Sequence, residues 1–380
     1  MSYRQNYSKL TDVQFYKEFP YSDHYEKEPL NASAYLQDEL KYKRLTLNVG
    51  IRYDYFKPKA KEETCAYCPL GFSCWPEPDT TYKSEHQWSP RVSLLFSPFR
   101  GTSISASYGH CFQPHPLEWC WALAKECYRK SDILQVGAKQ NFIWGTDLQM
   151  DSYYKWWENK KIRYGPLSWR IWGGDISLTK TVSPYLFGSV GYSYLNTKSR
   201  EGYLCYFCYD GIIERECPLD TDVTNSIKSS LNAFLPDKFG PRIRGLWPLS
   251  NINVNLQHRY YSGSPYTPQD AKGNPLLPNS KRLPSTHQTD MKIVKTFKVG
   301  GGWQYGLFLD VRNLFNVKKV VNVYPYPGKP DDNGCAPSKE AYPNDEESWR
   351  KAYEDWRKYC QDPSNYSIPR IVRIGIWVKL

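Results

Sequence analysis

The sequence predicts an all-β protein, an antiparallel transmembrane β-barrel segment of about thirteen strands, each near the length that crosses a bilayer when tilted. Three observations carry that expectation. Runs such as NINVNLQHRY (Asn251–Tyr260) alternate polar and apolar residues, the mark of a strand with two unlike faces. The connections between runs alternate short and long, as on the two rims of an outer-membrane barrel. Tyr and Trp gather near strand ends, where an interfacial girdle needs them. Alternation alone serves either solvent, since a soluble sheet buries its apolar face and a barrel turns that face to lipid. The sorting of the connections favours the barrel.

The elements follow in order. Ala34–Tyr42 and Leu45–Tyr55 are joined at Lys43–Arg44, with Leu45, Leu47, Val49, Ile51, Tyr53 and Tyr55 sharing one face. After the irregular Phe56–His86 come Trp88–Phe96 and Thr102–Phe112, joined by SPFRG. The segment Gln113–Lys130 leads to Asp132–Phe142 and Asp147–Trp157, joined by IWGT. Trp169–Val182 and Tyr185–Thr197 turn at SP, and Lys198–Thr224 leads to Ser226–Leu235 and Asn251–Tyr261. Thr289–Val299 and Trp303–Leu314 meet at a glycine turn, Gly300–Gly302. The longest connection, Tyr324–Asn365, carries EESWRKAYEDWRKYC, whose Trp349, Tyr353 and Trp356 have helical spacing. Arg370–Leu380 closes the chain, with Val372, Ile374, Ile376, Val378 and Leu380 on one face. An odd strand number does not close a bacterial barrel, so the sheet is expected to be incomplete on its N-terminal side.

Composition sets the bounds. The chain has 380 residues, of which 40% are hydrophobic, and a mean hydropathy of -0.67. No run approaches the roughly 18 apolar residues of a membrane helix, which excludes a helical membrane protein and leaves a barrel open. The load of 32 Tyr and 14 Trp suits surfaces with one wet and one apolar side. The net charge of +11 is scattered along the strands with acids between, so no nucleic-acid partner is expected. The N-terminal MSYRQNYSKLTDVQFYKEFP has no apolar h-region and is not a secretory signal.

Several segments resemble the C-terminal barrel part of TonB-dependent outer-membrane receptors. They are Ser33–Phe56, SPRVSLLFSP (Ser89–Pro98), ISASYGHCFQPHPLE (Ile104–Glu118), Gly173–Leu195, RYYSGSPYTP (Arg259–Pro268), RLPSTHQTDMKIVKTF (Arg282–Phe297) and LFLDVRNLFN (Leu307–Asn316), in the family's order. The resemblance implies a barrel of about 22 strands with a plug in its lumen, of which about nine strands and the plug lie outside this sequence. It divides the chain into an external loop segment, 1–32, and a receptor-like β-barrel, 33–380. It implies a bacterial outer-membrane location and uptake of a bulky nutrient such as an iron-siderophore, cobalamin, haem or an oligosaccharide, driven through the TonB energy complex. Family members often end on an aromatic residue, where this chain has Leu380.

On the barrel reading, Asn48, Arg52, Asp54, Asn253, Asn255, Gln257, Arg259, Asp310 and Arg312 line the lumen, with the acids hydrated or paired to the arginines. Ile252, Val254 and Leu256 face lipid. Substrate contact is expected on the long connections 56–86, 113–130, 198–224 and 324–365. The 11 Cys cluster in or near these connections. Cys65-x2-Cys68 and Cys205-x2-Cys208, with Cys74 and Cys217 nearby, suit zinc by spacing or disulfides in an oxidising space. Neither a metal nor a cofactor is expected. His110, His115, His258 and His287 have no metal spacing and read as rim residues. No catalytic triad, phosphate loop or HExxH motif is present, so an enzyme is not expected. The rivals are a soluble or surface-attached β-sheet binding module with Cys-rich loops, and a passive porin. The soluble module would bury the apolar faces under a second layer.

Overall fold

The computed structural model describes residues 30–57, 84–114, 128–159, 167–203, 213–298 and 302–379. Its strands are β1 (Leu30–Tyr42), β2 (Leu45–Lys57), β3 (Glu85–Phe96), β4 (Thr102–Pro114), β5 (Tyr128–Phe142), β6 (Thr146–Asn159), β7 (Leu167–Ser183) and β8 (Leu186–Tyr203). They continue with β9 (Ile213–Cys217), β10 (Asn225–Leu235), β11 (Ile252–Tyr261), β12 (Pro265–Tyr266), β13 (Lys281–Arg282), β14 (Thr286–Lys298), β15 (Gln304–Arg312) and β16 (Ile371–Lys379). One antiparallel sheet runs β1 to β8, then β10, β11, β14, β15 and β16, with β9 paired to the far end of β8. These are the strands that the alternation predicts, with β1, β3, β5 and β14 starting three or four residues earlier than expected and β8 running on past Thr197 to Tyr203. The short β9, β12 and β13 are additions that periodicity does not reveal. Gly300 and Gly301 of the expected glycine turn lie outside the described residues.

Apart from a shift between Thr181 and Ser183 at the β7–β8 turn, each ladder keeps one register, so the period of two carries a single face across the sheet. On the apolar face Leu148 lies opposite Leu178, and Leu178 opposite Val190. Further along, Leu231, Leu256, Met291, Val311 and Val372 form one continuous row. Val311 in that row is buried, at 5% exposed, but most of this face meets no second layer: Val49 is 47% exposed, Val136 50% and Leu231 47%, although each lies within its strand. The buried hydrophobics among the described residues are few, and several of them (Phe56, Trp157, Val323 and Cys360) sit at the long-connection end or inside the last long connection. A soluble sandwich would put its core on the face that is bare here.

Rings bound the bare face at both ends. Toward the long connections, Tyr53 packs on Trp88 at 4.7 Å, Tyr154 on Trp156 at 5.3 Å and Trp172 on Tyr194 at 5.1 Å between ring centres. Toward the short turns, Phe297 stacks on Tyr305 at 4.9 Å, and Phe96 and Phe142 are exposed. On β3 the belt from Trp88 to Phe96 covers about 27 Å of strand, which a tilt near 40° shortens to about 21 Å. That height is close to the apolar band of an outer-membrane barrel.

The expected helix forms as α1 (Glu346–Cys360) in the connection between β15 and β16. The Asp345 side chain caps it by accepting from Ser348 N at 3.0 Å. Glu346 and Glu347 open the helix and Arg357 and Lys358 close it, which complements the helix dipole. Trp349, Tyr353 and Trp356 stack along one side, with ring centres 5.5 and 5.3 Å apart. Trp356 Nε1 donates to Asn333 Oδ1 at 2.8 Å and Trp349 Nε1 to the Pro337 carbonyl at 3.2 Å, fixing the helix onto its own connection.

Candidate ligand path

All nine residues expected in the lumen fall on one face. The register links Asn48 through Ser93, Ser107 and Gln135 to Tyr153. It continues through Gly173 and Leu195 on β7 and β8, whose neighbour Gly191 faces Lys228 and then Arg259. Gln257 then faces Asp290, and Lys292 faces Asp310 and Arg373.

Ion pairs divide this face. Arg52 clasps Asp54, with Nε 3.0 and 2.9 Å from the two carboxylate oxygens. The residues are two apart on one strand, which is why they meet. Arg312 lies 3.9 Å from Asp310 by the same spacing, a looser pair. Arg259 pairs across strands with Asp290. Asp290 also accepts from Gln288 Nε2 at 2.6 Å and from the Asn313 amide at 2.9 Å. Asn255 donates to Asn232 on the neighbouring strand. Asp290, Gln288 and Asn232 are the residues that sequence reasoning missed. The alternation of Gln288, Asp290 and Lys292 along β14 is the signal that could have found them.

At the long-connection rim, Asp222 gathers the chain. Its side chain is 1% exposed. One oxygen accepts from Thr197 N at 2.8 Å and Thr197 Oγ1 at 2.7 Å, the other from Thr224 Oγ1 at 2.8 Å and from Arg282 at 2.7 Å. A second Arg282 nitrogen donates to the Asp222 carbonyl at 2.9 Å and the Gly263 carbonyl at 3.1 Å. Burial pushes the carboxyl upward, and the bonds from Thr197, Arg282 and Thr224 outweigh it, holding Asp222 below the ordinary carboxylate value. Beside it, a Cβ on Gly263 would lie 1.5 Å from the Leu283 carbonyl oxygen, so only glycine fits. The end of β8, the approach to β10 and the β12–β13 hairpin are thereby tied into one rim structure.

The described histidines His86, His110, His258 and His287 all lie on the apolar face beside the outer ring belt, by register with Tyr55, Asp132, Thr289 and Tyr260. His115 lies outside the described residues, as do Cys65, Cys68, Cys74, Cys205 and Cys208. The zinc and disulfide expectations therefore fall there. Among the described residues no group of three His, Cys, Asp or Glu is placed to hold a metal.

Two wide, unlike faces, one bare and apolar between ring belts and one polar and ion-paired, define a membrane β-barrel sheet. Residues 1–119 match the family model described as TonB dependent receptor-like, beta-barrel. Beyond these residues the likeness to known proteins is one of fold. Its fold is similar to that of FpvA from P. aeruginosa bound to a ferric pyoverdine, with 11% identity, a TM-score of 0.60, 95% of this chain and 40% of that one covered. It is similar to the ferric-catecholate import receptor Fiu from E. coli K12, with 16% identity, a TM-score of 0.55, and 83% and 45% covered. It is similar to the FrpB iron transporter from Neisseria meningitidis, with 15% identity, a TM-score of 0.53, and 78% and 42% covered. The chain thus spans about two fifths of the length of these structures. No curated relative matches it.

Proposed function

We propose that this chain is the barrel segment of a bacterial outer-membrane receptor that imports a bulky nutrient with energy from the TonB complex. The observation that carries the reading is the bare apolar face backed by a continuous polar face across the thirteen-strand path. The apolar face contacts lipid, and the nine polar residues from Asn48 to Arg312 line the passage. A ferric siderophore is the substrate class the reading favours over cobalamin, haem or an oligosaccharide. Its support is the kind of protein the similar structures are, a ferric pyoverdine complex, a ferric-catecholate import receptor and an iron transporter. The rim formed by the long connections captures the ligand, and the aromatic side of α1 belongs to that rim. These receptors are not enzymes, and the proposed role needs no bond to be made or broken.

The test is made on the full-length gene product in its own cells. It fractionates with the outer membrane, requires detergent for extraction, and its deletion lowers uptake of a radiolabelled ferric siderophore. A product that is monomeric and folded in buffer without detergent overturns the membrane assignment. Unchanged ferric-siderophore uptake alongside lost cobalamin, haem or oligosaccharide uptake overturns the substrate class alone.

A further inference from the structure

On the polar face Arg52 pairs with Asp54, Arg259 with Asp290 and Arg312 with Asp310, and Arg373 stands across from Asp310 by register. Arg91 on β3 differs in its surroundings. Among the described residues its guanidinium has neither an ion pair nor a hydrogen bond. Its direct cross-strand neighbours are both glycines, Gly50 on β2 and Gly109 on β4. Two missing side chains beside one long cation leave an open hollow of about 300 Å³. Amide and hydroxyl groups of Gln37, Asn48, Ser93, Ser107 and Gln135 border it. A Cβ on Gly109 would stand 3.1 Å from Arg91 Cγ, so that glycine leaves the Arg91 stem its room. The acids in neighbouring rows are engaged elsewhere, Asp54 with Arg52 and Glu39 with Lys41.

We propose that this hollow is a binding subsite for the carboxylate of a small-molecule ligand, with Arg91 as its anchor. A planar guanidinium matches a carboxylate with two parallel N–H···O bonds, and an arginine without an internal acid keeps that fork available. The surrounding amides and hydroxyls donate to the remaining carboxylate lone pairs and accept from hydroxyl groups on the same ligand. The volume lies at the lower end of small-molecule sites, which suits one carboxylate-bearing arm of a larger molecule. This deepens the transport reading and rests on it, because the hollow opens on the face proposed to line the passage.

The experiment titrates citrate, as the carboxylate probe, into the purified full-length receptor in detergent at fixed ionic strength, followed by calorimetry. Wild type binds citrate, and R91Q weakens the affinity about tenfold to a hundredfold, the worth of a charge-assisted pair. R91K keeps the charge, loses the fork and falls between. G109A displaces the Arg91 stem and also weakens binding, whereas R100Q, in the short SPFRG turn between β3 and β4, leaves it within about twofold. No citrate binding by wild type, or equal binding by wild type and R91Q, overturns the subsite. Outer-membrane fractionation of R91Q is measured in parallel. A variant that still fractionates with the outer membrane while citrate binding ignores Arg91 sinks the subsite alone. A wild-type product that does not reach that membrane sinks the transport reading.

Discussion

On β10 and β11 the same strand pair carries two surfaces of opposite character. Leu231 faces Leu256 on one side, and one residue away Ser230 faces Gln257 and Asn232 faces Asn255 on the other. The polar side supplies its own partners: Ser230 Oγ lies 2.8 Å from Ser189 Oγ, and Asn255 donates to Asn232. The apolar side supplies none, and Leu231 stays 47% exposed. The stabilisation of the apolar side therefore comes from what surrounds the protein. A Leu or Val moved fully out of water gains about 1.5–3 kcal/mol, and here the surroundings that provide it are the lipid of the proposed setting.

The largest test of that contrast is a charge placed on either side of β10. Leu231→Arg destabilises the protein refolded in lipid vesicles by about 2–4 kcal/mol, as a cation near the midplane of a barrel's lipid face does. Ser230→Arg changes stability by less than about 1 kcal/mol, because its side chain reaches the wet face. Urea titration in vesicles measures both. Equal costs would erase the distinction between the two faces.

Next in size is Asp222→Ala, which compares the rim with the faces. Thr197 N, Thr197 Oγ1, Thr224 Oγ1 and Arg282 lose a shared acceptor. Leaving buried donors unmade costs about 1–3 kcal/mol locally. Amide exchange at Thr197 accelerates, while exchange at Leu231 on the membrane belt stays as in the wild type. Acid reproduces the effect. A carboxyl held below its ordinary value stabilises the fold fully above about pH 4, and the contribution is lost as pH falls through the folded value. Thr197 protection that is indifferent to acid would show that Asp222 does not hold the rim.

The contrast between local and register-dependent contacts also explains what the sequence disclosed. The strands were legible because alternation is a property of neighbouring residues, and α1 was legible because Trp349, Tyr353 and Trp356 recur at helical spacing. Arg52–Asp54 and Arg312–Asp310 were within reach for the same reason, each pair being two residues apart on one strand. Arg259–Asp290 needs the pairing of β11 with β14, and Asp222–Arg282 needs a hairpin folded back across the rim. No periodicity specifies such partners. Arg91 was hidden in another way, since its distinction is the absence of side chains at Gly50 and Gly109, on strands whose register must first be known.

The smallest effect lies outside the strands, in the connection that carries α1. Tyr366 donates its hydroxyl hydrogen to Asp331 Oδ2. Burial, and then the acceptor Asp331, push the phenol up to about 12. A raised pKa means that the protonated phenol stabilises the connection at all pH values below about 10, and that this contribution disappears as pH rises through about 12. Tyr366 is half-buried but its acceptor Asp331 is exposed, so screening keeps the gain under about 1 kcal/mol. Tyr366→Phe therefore leaves the urea midpoint of the barrel unchanged and removes one late-titrating phenol from the ultraviolet difference titration. It also raises protease sensitivity between Asp331 and Tyr366. A midpoint shift as large as that of Leu231→Arg would mean that the connection and the sheet unfold as one unit, and that the rim is as deeply coupled to the fold as the apolar face.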